Sequence, residues 1–179
     1  MKYIIPIIIL SFVLLSCAKK EEEGETDTTT ALEGTWKTAC WTESDNKSII
    51  TTATMAGNVL TFKDEKHSDT SCATDYRLKE ESHTFAMGDS GKFTITLSST
   101  STKTPQSASA VSDYNSRSHC SANDWELNTA KDCTVAEDSQ GDTVYCLYAL
   151  SGTTLYNVCD GDEQPTSIPI TAENTFTKQ

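Results

Sequence analysis

The chain is short of positive charge. Its 179 residues hold 14 Lys and Arg against 26 Asp and Glu, a formal net charge of −12. Nucleic-acid binding needs a basic face, so this balance argues against it. An acidic surface is also repelled by anionic headgroups, so attachment to a membrane must come from something other than charge. The short motifs that carry chemistry are missing as well. There is no Gly-x-Ser-x-Gly, no His-Glu-x-x-His and no phosphate-binding loop. His67 lies near Asp69 and His119 near Asp124, but both pairs fall in expected loops with no readable nucleophile. No Cys-x-x-Cys pair exists, and His67, His83 and His119 show no ligand spacing, which argues against zinc. Asp160, Asp162 and Glu163 form an acidic turn without the spacing of a calcium loop. The expectation is a chain that is not an enzyme and needs neither cofactor nor metal.

What is present is concentrated at the start. After Met1-Lys2-Tyr3 comes an apolar run from Ile4 to Val13, broken only by Pro6 and Ser11. It is too short for a permanent membrane helix. A basic start, a short apolar stretch and a small residue before the cut are the layout of an export signal. Leu14-Leu15-Ser16-Cys17 looks like a bacterial lipobox, in which the cysteine becomes the lipidated first residue of the mature chain. Residues 1–16 are then the signal peptide, and 17–31 the lipidated Cys17 with a tether, AKKEEEGETDTTTA, too polar to bury a core. Residues 32–179 are one domain. Losing Lys2 leaves 13 basic against 26 acidic residues, net −13. Each buried acyl CH₂ contributes about 0.8 kcal/mol, so two or three chains hold the protein firmly to a bilayer. Ala18 after the anchor, rather than Asp, is the residue that favours outer-membrane sorting in enteric bacteria. The expected location is the bacterial envelope, with the outer membrane preferred.

Six cysteines remain: Cys40, Cys72, Cys120, Cys133, Cys146 and Cys159. An even number in an exported chain reads as three disulfides. The runs TVYCLYAL (143–150) and TLYNVC (154–159) flank Ser151-Gly152-Thr153. A two-residue turn at Gly152-Thr153 sets Leu150 opposite Leu155, Tyr148 opposite Asn157 and Cys146 opposite Cys159. Opposed Cβ atoms stand about 4.5–5.5 Å apart, close enough to bridge after modest adjustment. Cys40–Cys72 and Cys120–Cys133 are the most local remaining pairs.

Other runs rich in β-branched and aromatic residues are Thr35–Thr42, Ser48–Met55, Val59–Lys63, Tyr76–Lys79, His83–Met87, Lys92–Ser98 and Thr175–Lys178. Phe93, Ile95 and Leu97 alternate strictly with polar residues, as a half-buried strand requires. Ser98–Ser118 is Ser/Thr-rich; Thr104 as cap and Pro105 at the first helical position predict one short helix near 105–115. About eight strands and one helix predict an all-β antiparallel barrel, with a two-sheet sandwich as the alternative.

Leu32-Glu33-Gly34-Thr35-Trp36 resembles the Gly-x-Trp opening of lipocalin barrels. GTWKTAC (34–40), HSDTSC (67–72), HCSANDW (119–125), the 143–156 hairpin and QPTSI (164–168), in that order, resemble a group of exported bacterial lipoproteins with a lipocalin-like domain and no assigned activity. The resemblance implies that Trp36 plugs the closed end. The late Arg that covers this Trp in lipocalins is absent, and Lys178 is placed to stack there instead. The resemblance also implies a small apolar ligand in the barrel, for which Tyr145, Tyr148, Tyr156 and Trp41 are the candidate lining residues. On the expected hairpin, Tyr148 shares one face with Leu150 and Leu155, and Tyr145 and Tyr156 share the other. The rival reading is an envelope interaction or structural protein whose barrel is filled. An apolar cavity of about 300 Å³ or more would favour the first.

Overall fold

The computed structural model describes residues 31–43, 46–133 and 141–179. The expected signal peptide, Cys17 and the expected tether up to residue 30 lie outside these residues. Ten strands form one antiparallel sheet: β1 Gly34–Thr38, β2 Trp41–Thr42, β3 Ser48–Ala56, β4 Val59–His67, β5 Asp75–Met87, β6 Lys92–Pro105, β7 Lys131–Asp132, β8 Thr143–Ser151, β9 Thr154–Asp160 and β10 Thr175–Lys178. Helix α1 spans Ala108–Ser116. The strand order is β1-β10-β9-β8-β6-β5-β4-β3, and β1 also pairs with β3, which closes eight strands into a barrel. Closure removes the free edges an open sandwich would leave.

The local pairings follow from the sequence. Gly57-Asn58 turns β3 into β4 with Ala56 opposite Val59, and Gly57 takes the positive φ that such a turn needs. In the β8–β9 hairpin, Cys146 faces Cys159, Tyr148 faces Asn157 and Leu150 faces Leu155, as expected. The run Thr35–Thr42 is split: Trp36 faces Ala53 and Trp41 faces Ile49, with one extra residue on the first strand between these pairs. The bulge keeps both tryptophans on the same face. The two short candidates at 76–79 and 83–87 are one long strand, β5, irregular between Ser82 and Thr84.

The expectation for 98–118 needs correction. Strand β6 runs on to Pro105, paired to β5 as far as Arg77. The helix starts at Ala108, and its cap is Ser107, whose hydroxyl accepts from the Ala110 N–H at 3.1 Å. Thr104 and Pro105 are strand residues. A strand end tolerates Pro105 because the next N–H, of Gln106, resumes bonding to the Tyr76 carbonyl at 2.9 Å.

The barrel interior changes character along its axis. At one end Leu32, Trp36, Ala53, Met55, Leu60, Phe85, Phe93, Ile95, Cys146, Leu155 and Phe176 form a single buried cluster. At the far end α1 packs against β5 and β6, and Tyr114, Trp125 and Cys133 form a second, small cluster. Three disulfides join Cys40–Cys72, Cys120–Cys133 and Cys146–Cys159, with Cα atoms 6.0, 5.1 and 4.1 Å apart.

Candidate functional site

Trp36 is 1% exposed, and its indole N–H donates to the Leu32 carbonyl at 2.7 Å. Leu32 and Trp36 therefore stopper the apolar end together. The Lys178 ammonium stands 5.1 Å from the Trp36 ring centroid, directly opposite it across β1 and β10. Gly34 takes φ +117°, and a Cβ there would meet Lys178 Cε at 3.3 Å. A side chain at 34 would thus disturb the cation that covers the plug.

The three tyrosines divide as the hairpin demands. Tyr148 lies on the inner face against the core, its ring 6.0 Å edge-on from Phe93. Tyr145 and Tyr156 lie on the outer face, with Tyr145 37% exposed. They do not share a pocket with Tyr148. Tyr145 instead borders an open cleft of about 410 Å³ with Ala86, Met87, Phe93, Lys92 and Gln164, beside the β5–β6 turn. The Gln164 amide is fixed by donating to the Cys146 carbonyl at 2.8 Å.

Between the two apolar clusters the inner face is polar. The pairing sets Thr51, Asp64, Lys79, Lys103 and Lys131 in one row across β3 to β7. The row before it holds Ala53, Phe62, Glu81 and Ser101, and the row beyond it Trp41, Ile49, Lys66, Arg77 and Pro105. Asp64 accepts from the Thr51 hydroxyl at 2.7 Å, and Lys79 pairs with Glu81 at 2.6 Å. Lys103 is only 8% exposed. Burial pushes the Asp64 carboxyl up from its ordinary 3.8, against the opposing pull of the Thr51 bond and Lys79. Burial likewise pushes His83 down from 6.5. Enclosed charges cost more than well-packed apolar side chains of the same volume. The layer is therefore poor stabilising material, and it is the part of the barrel most open to a functional explanation.

No sequence pattern located this layer, because its residues look like the solvent face of an ordinary strand. The only signal is register: once β3 is fixed by Ala53 and Met55, every second residue of β4, β5 and β6 is assigned inward.

Other arrangements have the residue types of reactive or metal sites. Ser48 faces His67 across β3 and β4, and His67 Nδ1 lies 3.3 Å from an Asp75 carboxylate oxygen. The Ser48 hydroxyl donates to the Asp69 carbonyl instead of His67, and Ser48 is fully buried beside Cys72. A nucleophile must reach a substrate, and this one does not. Asp124, expected near His119, pairs with Lys131. His119, Cys120 and Cys133 put three ligand-type atoms within 4.8 Å of one another, but the two sulfurs are bonded together. The acidic turn at Asp160 and Asp162 closes on itself, with Asp160 accepting from the Asp162 N–H at 3.1 Å.

The chain matches no known protein-family model and no curated protein.

Proposed function

We propose that this chain is a non-catalytic, lipid-anchored protein of the bacterial envelope, of the lipocalin-like exported kind, that works through its surface and its polar end. Its apolar end is packed and stores no apolar ligand. The observation that carries this reading is the packed apolar end, with a polar inner face beside it among the described residues. Trp36, Phe93, Leu60, Leu155 and Phe176 occupy the apolar end, and the Asp64–Lys79–Lys103 row occupies the middle. An apolar ligand would have to displace the first or desolvate the second. The lipobox and the polar tether support attachment through Cys17, with the outer membrane as the favoured site and no role for nucleic acid. No helix among the described residues is long and apolar enough to cross a membrane.

A second reading keeps a small apolar ligand but moves it out of the lumen. The cleft at Met87 and Tyr145, about 410 Å³ in volume, falls within the roughly 300–1,000 Å³ range of small-molecule sites.

Native mass spectrometry of protein purified from its own host separates the readings. The packed-barrel reading predicts the mass of the mature chain plus its acyl groups with no apolar passenger. A stoichiometric apolar passenger lost on Met87→Asp supports the cleft, and one retained by that variant overturns the packed barrel. Cys17→Ser tests the anchor separately. It should abolish acyl labelling and membrane retention, and a variant that still partitions with membranes as the parent does refutes lipidation.

A further inference from the structure

We propose that the row Trp41–Lys66–Arg77, at the far end of the inner face, binds an oxyanion: the carboxylate or phosphate group of a small ligand. The row is assembled by pairing. Trp41 faces Ile49, Ile49 faces Lys66, Lys66 faces Arg77, and Arg77 faces Pro105. Directly opposed residues project from the same side of a sheet. Three donors therefore share one side, with Ile49 and Pro105 as apolar neighbours.

Each donor is under-used. The Trp41 indole N–H is buried and has no acceptor among the described residues, a state that is unfavourable unless something else supplies one. Lys66 pairs with Glu43, but an ammonium carries three donors. Arg77 has no ion-pair partner among the described residues, and its charge reaches Asp64 at longer range. Its guanidinium is a fixed planar fork that fits a carboxylate or phosphate through two parallel bonds.

Charge points the same way. Like charges directly opposite each other across two strands are destabilising, and Lys66 opposite Arg77 is such a pair. Glu43 balances one of the two cations and leaves the row with one net positive charge. In a chain of net charge −12, an uncompensated cation beside an unsatisfied buried donor is the reverse of the general trend. A bound oxyanion would accept from Trp41 and Arg77 and relieve the repulsion between Arg77 and Lys66. The pairing also shifts register between Lys66 and His67, and such bulges re-aim side chains where strands meet a site. The inference does not depend on the lipid anchor or on the cleft at Tyr145.

The test is a titration of the disulfide-intact, ¹⁵N-labelled protein with sodium phosphate and, separately, sodium butyrate. Ionic strength is held constant with chloride, and the Trp41 indole N–H is assigned by its loss in Trp41→Phe. The expected result is a saturable shift of that resonance with at least one of the two anions. A response to phosphate alone assigns phosphate, and a response to butyrate alone assigns carboxylate. Arg77→Gln should weaken binding about tenfold, the loss of a charge-assisted bidentate contact, while its melting temperature stays near the parent's. Lys66→Gln replaces it if Arg77→Gln fails to fold. The inference is overturned if neither anion gives saturation, if chloride reproduces the shift, or if the variant binds as tightly as the parent.

Discussion

The two ends of this barrel are built from the same pleated strands but held by different forces. At the Trp36 end, inward residues are large and apolar, and Leu32, Trp36, Leu60 and Leu155 are at most 1% exposed. Burial of apolar surface at about 25 cal/mol per Å² holds that end. At the far end Asp64, Lys66, Arg77, Lys79 and Lys103 face inward beside Trp41, Ile49 and Pro105, and the second apolar cluster, around Tyr114 and Trp125, is small. Two of the three disulfides are found there: Cys40–Cys72 ties the β1–β2 bulge to the loop after β4, and Cys120–Cys133 ties the segment after α1 to β7. Where a core is too small to hold a region, covalent staples do so. Closure of a barrel thus does not require a uniform core. The difference also leaves the far end free to carry charged groups that a core could not accept.

That contrast is sharpened first at Trp36. Trp36→Ala should cost about 3–5 kcal/mol, as for other large-to-small core changes, read from chemical denaturation. A loss below about 1 kcal/mol would make the plug dispensable and erase the contrast. Next comes the disulfide that lies in the packed end. Cys146→Ser with Cys159→Ser should cost about 3 kcal/mol on the chain-entropy account of a short loop, yet leave a barrel that still melts cooperatively, because Phe93 and Leu155 remain to pack. Loss of cooperative melting would show that this end, too, depends on its staple.

A smaller effect is expected at the cover of the plug. Lys178→Ala should cost about 0.5–1 kcal/mol, the worth of an exposed cation–π contact, and Lys178→Arg should restore it. Equal stability for Lys178→Ala and the parent would reduce Lys178 to a bystander. The smallest effect concerns Asp64. Burial raises its pKa above 3.8, so the folded state holds that proton more tightly than the unfolded chain does. The parent therefore loses stability at this site as pH rises through the folded pKa. Asp64→Asn should gain on the parent as pH rises from below 3.8 through the raised folded value, ending near neutral or slightly stabilising, as when a costly buried charge is removed. A variant that falls behind the parent over that range contradicts the account of this layer.

The same division explains what could be read from the chain beforehand. Lys92–Ser98 and the 143–159 hairpin were legible because Phe93, Ile95, Cys146, Tyr148 and Leu155 advertise an inner face by alternation. The closed barrel and all three disulfides followed from those strands and from cysteine order. Legibility failed where the inner face is polar. From Thr100 to Pro105 one face carries Thr and the other Ser101 and Lys103, so no apolar period of two survives, and Thr104-Pro105 imitates a helix start better than a strand end. For the same reason β5 read as two pieces, since Glu80, Glu81 and Ser82 interrupt the apolar signal without interrupting the strand. Among the candidate ligand residues, Trp41 could be named but not placed. Its side of the sheet depends on the bulge at Ala39-Cys40, which leaves no compositional mark.

Amide hydrogen exchange separates packing from stapling, measured with all disulfides intact and again after mild reduction of the partly exposed Cys40–Cys72 bridge. Packing at one end and staples at the other predict that the amides of Ala53, Phe62, Phe85, Ile95 and Leu155 exchange only through global unfolding in both states. Those of Lys66, Arg77 and Lys103 should open locally at lower free energy, and faster once Cys40–Cys72 is reduced. Uniform protection from end to end, or a loss of protection around Trp36 on reducing that bridge, would contradict the account.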